Sequence, residues 1–267
     1  MPTLPPTIKS LVLDMDGVLW RESTPIGDLA AIFAAISRRG LKVCLATNNA
    51  TRTPEQYLER LCSFGVKDLE AWQVVTSGQV LAHELVKRFP QAGPVYVIGE
   101  GGLYQSLADA GFTVVDEDHW DQGRTIIAVV SEMDRGVNYP KLRRATLLIR
   151  QGIPFYATNP DRTFPTPEGL VPGAGAIMAA LVTASGVEPV VVGKPAPFMI
   201  ELARERLKTS REETLIVGDR LETDIAGGQA AGCPVALVLS GVSTQAMASA
   251  WTPHPDFVVP DLAALLG

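Results

Sequence analysis

Short runs of Val, Ile and Leu alternate along this chain with longer stretches of helical periodicity. Strands buried on both faces look like this, unbroken and apolar, when helices carry the crossovers of a parallel sheet. Residues 8–13 read as a strand, 29–39 as a helix that Gly40 can terminate, and 41–46 as the next strand. Pro54 suits the first position of a following helix, Val74 and Val75 form a short buried piece, and Ser77 is expected to cap a helix running to Phe89. The rhythm returns late in the chain, with strands at 189–192, 214–217 and 235–239 and helices opening at Pro197 and Thr223.

The middle has a different texture. Strands are expected at 95–98, 113–115, 126–130 and 155–157, with helices at 103–110 and 139–150. The pattern therefore predicts an α/β protein, a Rossmann-like three-layer α/β/α core with a parallel sheet plus an inserted smaller α/β domain. We place the core at 1–80 and 181–267 and the insert at 81–180, with the helices after Thr76 and after Gly173 as natural joints.

Composition narrows the class. Apolar residues make up 46% of the 267 and charged ones 19%, which supplies a sizeable core and excludes a disordered chain. No apolar run approaches the ~20 residues that span a bilayer, and segment 1–7 lacks the basic and apolar regions of a secretory signal. Lys and Arg number 23 against 29 Asp and Glu, with no basic stripe, so neither nucleic acid nor membrane is an expected partner. Cys44, Cys62 and Cys233 are scattered without disulfide or metal-ligand spacing, and a cytoplasmic protein with reduced thiols is the simplest reading.

Four apolar strands end in unusual polar residues. Leu13 runs into Asp14-Met15-Asp16-Gly17, Ala46 into Thr47-Asn48-Asn49, Val192 into Gly193-Lys194-Pro195, and Val217 into Gly218-Asp219-Arg220. Sites of open parallel sheets lie at the carboxyl ends of strands, so pairing would bring a Thr, a Lys and three carboxylates to one edge. Two carboxylates one residue apart point to opposite sides of an extended chain, so one can attack while the other handles protons. Burying Asp14, Asp16 and Asp219 together is costly without a cation, and an all-oxygen site suits Mg²⁺. Thr47 offers a hydroxyl and Lys194 a positive charge, both suited to phosphate oxygens in phosphoryl transfer. The first Asp pair taken alone also admits a capped strand-to-loop turn as the lesser reading.

These segments resemble the haloacid dehalogenase-like hydrolase superfamily, in particular its NagD-like phosphatases (subfamily IIA), whose larger α/β cap is inserted between the second and third motifs. The match includes Asp14 to Trp20, Thr47 to Pro54, Gly193-Lys194-Pro195, and Gly218 to Ile225, with Thr158 to Asp161 and Pro172 to Gly175 resembling the cap and its return. The resemblance implies a Mg²⁺-dependent phosphatase of small phosphorylated metabolites, such as sugar phosphates, nucleoside monophosphates or phosphoglycolate-like acids. It implies Asp14 as nucleophile and Asp16 as general acid and base. Asp14, the Asp16 carbonyl and Asp219 would hold the metal, with Asp224 acting through a water. Met15, Gly17, Thr47, Asn48 and Lys194 would bind the phosphate.

Other residues keep two readings. Asn49 either contacts the phosphate or braces its loop, and Asn159 and Asp161 either face the substrate or form a turn around Pro160. Residues 134–139 are a second substrate lip or an exposed loop, Thr223 reads as a helix cap, and Trp20 reads as packing. A phosphotransferase or mutase using the same aspartyl-phosphate is the alternative enzyme, and a receiver-like signalling module the alternative class, against which the insert counts. The oligomer is left as a monomer or homodimer. The glycine-rich stretch Gly99-Glu100-Gly101-Gly102-Leu103-Tyr104 superficially suggests a dinucleotide cradle, but Tyr104 stands where Gly or Ala is needed, and a tight strand-to-helix turn explains it. His83, His119 and His254 are isolated, and Arg143, Arg144 and Arg150 read as a solvated helix face.

Overall fold

A computed structural model describes residues 4–121, 123–166 and 168–267, so positions 1–3 of the opening segment lie outside the described residues. The chain divides into two compact units. The first gathers the chain up to Thr47, Pro54–Val75 and Lys194–Gly267, and the second holds Asn48–Thr53 and Thr76–Gly193.

The first unit is built on a six-stranded sheet. Its order is Phe257–Val259, Val235–Val238, Thr214–Gly218, Ser10–Leu13, Lys42–Thr47 and Val74–Thr76. Each pairing described is parallel, as expected for apolar runs joined by helices. Alternation along the strands makes two packed faces. Leu11, Leu13, Leu45 and Leu215 share one cluster with Ile32, Ile36, Leu61 and Leu265 from helices. On the other face the short helix Ala226–Ala230 comes so close that a Cβ at Gly228 would lie 3.1 Å from Ile216. The helix Leu29–Arg38 starts where the Asp28 side chain accepts from the Ala31 amide, and it buries Leu29, Ile32 and Ile36 on one stripe. Pro54 opens the helix Pro54–Ser63 as its sequence position requires.

The second unit carries its own parallel sheet, ordered Val190–Val191, Phe155–Ala157, Ala128–Ser131, Pro94–Ile98 and Thr113–Val115. Tyr96, Ile98 and Val129 pack there against Leu148, Ile149, Ile177 and Leu181 of two helices. A hairpin of Thr163–Thr166 with Gly169–Pro172 completes it.

Several expectations need correction. The strand expected at 189–192 does not join the core sheet, since Val190–Val191 pairs with Tyr156 and Ala157 in the second one. The second unit accordingly takes in Asn48–Thr53 and runs from Thr76 to Gly193, beyond the 81–180 read from the pattern. Thr76, rather than Ser77, caps the helix Ser77–Arg88, because its side chain accepts from the Gln79 amide in a capping box. Arg144 is not solvated: it pairs with Glu117 at 3.3 Å and lies 4.3 Å from the Trp120 ring centroid. His119 is not isolated but meets Asp116 at 2.6 Å on the surface. The glycine-rich stretch does form a turn from the strand Pro94–Ile98 into the helix Gly101–Asp109. A Cβ at Gly102 would collide with the Ala50 carbonyl oxygen and lie 2.8 Å from the Arg52 backbone, so a segment of this chain's own backbone occupies that face. Among the described residues no helix is long and apolar enough to cross a membrane.

Candidate active site

The Ser10–Leu13 strand lies between Thr214–Gly218 and Lys42–Thr47, and its register aligns Leu13 with both Val217 and Leu45. The pairing continues one step, since the Asp14 amide donates to the Val217 carbonyl at 2.9 Å. Asp14, Thr47 and Asp219 therefore leave the sheet at one carboxyl edge, where strand order reverses on either side of the first strand. Asp224 arrives from the π-helical turn Leu221–Ile225, which contains Thr223 and so removes Thr223 from the capping role expected of it.

Lys194 binds this edge together. Its ammonium donates to Asp14 Oδ1 at 2.6 Å, to Asp224 Oδ1 at 2.6 Å and to the Ala46 carbonyl at 3.0 Å. The other Asp224 oxygen accepts from the Arg220 amide at 3.1 Å. Carboxylate oxygens of Asp14, Asp219 and Asp224 lie within 4.8 Å of one another. Asp219 Oδ2 accepts from the Val242 amide at 2.7 Å, while its buried Oδ1 has no hydrogen-bond partner among the described residues.

Burial raises the Asp14 carboxyl well above its ordinary value despite Lys194, with Asp224 and Asp219 adding to the rise. Burial, then Asp224, pushes Asp219 up to about 7. Burial opposes the Lys194 ammonium, but Asp14 and Asp224 outweigh it and hold the amine above the usual lysine range. The cluster holds more acid than its one lysine can neutralise.

Asp16 is not among the three gathered carboxylates. It is exposed, and its Oδ1 accepts from the Trp20 indole N–H at 2.8 Å. The Met15 side chain is wholly buried, so only its backbone is available to a ligand. Gly17 has φ +84°, a conformation that suits glycine, and a side chain there would strike the Asp219 carboxylate. Thr47 is buried at the end of its strand.

The remaining expected residues fall in the second unit, where Asn48, Asn159 and Asp161 bind one another. Asn48 donates through Nδ2 to Asp161 at 3.2 Å, and its carbonyl accepts from Asn159 Nδ2 at 2.8 Å. Asn159 Oδ1 accepts from the Asp161 amide at 3.1 Å, which makes a local turn around Pro160. Asn49 braces its loop by accepting from Thr51 at 2.9 and 2.7 Å. At 134–139, Asp134 is tied to Lys141 at 2.7 Å and to the Gly136 amide, and Tyr139 is largely exposed.

Sequence reasoning missed the loop after Val235–Val238. Ser240 donates to the Gly17 carbonyl at 2.7 Å, Val242 supplies the amide on Asp219, and Ser243 accepts from the Leu221 amide at 3.1 Å. A Cβ at Gly241 would collide with the Asp219 side chain. The available signal was a further apolar strand ending in Ser-Gly.

Comparisons with known proteins bear on family and fold. The profile of the haloacid dehalogenase-like hydrolase family matches residues 11–113, and that of a HAD-hydrolase-like family matches 191–265. The 5′-nucleotidase YutF of Bacillus subtilis (strain 168) is 35% identical over 237 residues, covering 89% of each chain. NagD from E. coli K-12 superposes with a TM-score of 0.86 at 33% identity, over 96% of this chain and 97% of that one. A glycerol phosphate phosphatase from Mycobacterium tuberculosis, solved in complex with magnesium, gives 0.88 at 34% identity, over 97% of this chain and 76% of the other.

Proposed function

The chain belongs to the haloacid dehalogenase-like hydrolases, and from that premise we propose that this phosphatase cleaves small phosphomonoesters, with Mg²⁺ bound, through a phosphoryl group carried on Asp14. The observation that carries the reading is a charge count. Three carboxylates, Asp14, Asp219 and Asp224, meet one ammonium, Lys194, so full ionisation would leave an excess of two negative charges, a cost visible in the raised Asp14 and Asp219 carboxyls. That excess, with the orphaned Asp219 oxygen, fits a hard divalent cation held by carboxylates. Asp14, Asp219 and the Asp16 carbonyl would hold it, and Asp224 would act through a water. When bound, the ion supplies Lewis-acid polarisation of a phosphoryl oxygen.

The chain's own residues account for the rest. An Asp14 oxygen attacks phosphorus as the ester P–O bond breaks, and the departing electron pair stays on the alcohol oxygen, which takes a proton from Asp16. Lys194 holds Asp14 in place and neutralises charge on the transferring group, and the Thr47 hydroxyl donates to a phosphoryl oxygen. Water then attacks phosphorus and gives its proton to Asp16. The bond to Asp14 breaks, and its electron pair returns to the carboxylate. We assign substrate selection to the second unit, where Asn48, Asn159 and Asp161 form one hydrogen-bonded group. The relatives' names differ in substrate, which supports a small phosphomonoester as the class.

Acid quenching during turnover should trap a hydroxylamine-labile phosphate on Asp14. Asp14→Asn should be folded, inactive and free of label. A labelled Asp14→Asn protein, or a wild type that turns over without any acyl phosphate, overturns the reading.

A further inference from the structure

Trp20 makes a contact that packing does not require. Its ring is wholly buried, stacked on Tyr57 with centroids 6.5 Å apart and planes 9° from parallel. The Arg60 guanidinium lies 4.2 Å from the ring centroid, and Phe64 packs at 6.2 Å. Its backbone is fixed as well, the amide donating to the Met15 carbonyl at 3.3 Å and the carbonyl accepting from Gly17 at 2.7 Å. A ring clamped in this way has no freedom to re-aim its N–H, and that N–H meets Asp16 Oδ1 at 2.8 Å. Asp16 is exposed, and its other oxygen makes no hydrogen bond among the described residues.

An exposed carboxylate ordinarily samples several rotamers, with either oxygen available to solvent. Here one oxygen is spoken for by a rigid donor. We infer that Trp20 is a positioning residue for proton transfer: it pins Oδ1 of Asp16 and so presents Oδ2 to the leaving oxygen and, in the second step, to water. This rests on the acid–base assignment of Asp16 made above. A purely structural Trp20 would need only its shape and stacking, which phenylalanine largely keeps.

The test separates the two by leaving group. An alkoxide must receive a proton as it departs, whereas p-nitrophenolate leaves readily without one. The ratio kcat/KM, which reports formation of the phosphoenzyme and not its hydrolysis, is measured for glycerol phosphate and for p-nitrophenyl phosphate. Trp20→Phe should lose about tenfold on glycerol phosphate and less than about twofold on the aryl ester, a fraction of what a general acid contributes. Equal losses on the two esters, or none on either, overturn the inference. Should Trp20→Phe fail to fold, benzothienylalanine at position 20 keeps the ring shape with sulfur in place of N–H and is held to the same criterion. Asp16→Asn serves as the reference. If it too shows no preference for the aryl ester, the acid–base assignment falls and the inference with it. If it shows that preference and the Trp20 variant does not, only the inference falls.

Discussion

Lys194 and Asp224 form a 2.6 Å ion pair in which both side chains are buried. The same ammonium reaches Asp14, so removing it leaves three acids facing one another without a counter-charge. Breaking a buried pair from one side costs about 3–5 kcal/mol. Lys194→Met should therefore be inactive and destabilised by about that much in EDTA, as read from denaturant midpoints. Part of the loss should return on adding Mg²⁺, and an unchanged midpoint would show that the pair does not hold the site.

The same charge excess predicts that the metal stabilises the fold. Mg²⁺ added to chelated protein should raise the melting temperature, with stabilisation of about 2.7 kcal/mol at a hundredfold excess over Kd. Asp219→Asn should abolish that response, because Asp219 contributes the orphaned oxygen. EDTA should silence wild-type turnover. Activity that survives thorough chelation, or a melting temperature indifferent to Mg²⁺, contradicts the assignment.

Gly241 tests the loop that closes on Asp219. No positive φ is involved, so the nearest obstacle to a side chain is the Asp219 side chain, its Cβ and carboxylate together. Gly241→Ala should push that carboxylate aside, costing roughly 10²-fold in turnover at saturating substrate by displacing a preorganised group, with a smaller effect on stability. Wild-type activity in the alanine variant would mean the carboxylate can be moved freely.

Glu132 gives a pH dependence elsewhere in the molecule. It is buried in the second unit with Oε1 accepting from the Ala50 amide at 3.2 Å, and Oε2 has no partner among the described residues. Burial pushes its carboxyl up to about 8 from an ordinary value of 4.5. Between those values the folded chain keeps a proton that the unfolded chain has released, so this group's contribution to stability falls as pH rises and levels off above about 8. Glu132→Gln cannot ionise and should flatten that slope. It should match wild type near pH 4.5 and exceed it by a few kcal/mol at pH 9, since stability falls by about 1.4 kcal/mol per pH unit across that interval. Parallel stability–pH curves for the two proteins would count against it.

Most of the first unit's edge was legible because its strands advertise themselves. Leu11 to Leu13 and Leu215 to Val217 are apolar runs that end in Asp14 and Gly218-Asp219, and parallel pairing leaves such ends side by side. An apolar run says that a strand is buried but not which sheet it joins, and Val190–Val191 illustrates the gap. The grip on Asp219 was invisible for another reason, since it comes from the Val242 amide and any residue but proline offers one. Arg144 escapes a reading from periodicity because a polar helix face does not reveal the Glu117 and Trp120 that cover it.

The close approach at Gly102 bears on how glycine-rich turns are interpreted. A missing Cβ makes room for whatever must come near, and here the guest is the peptide backbone of Ala50 and Arg52. A search tuned to nucleotide cradles responds to such a stretch because it detects vacancy, while the tenant is already part of the same polypeptide. In this protein Gly102 is a tolerance for assembly, and an alanine there would be felt first by the connecting segment it crowds.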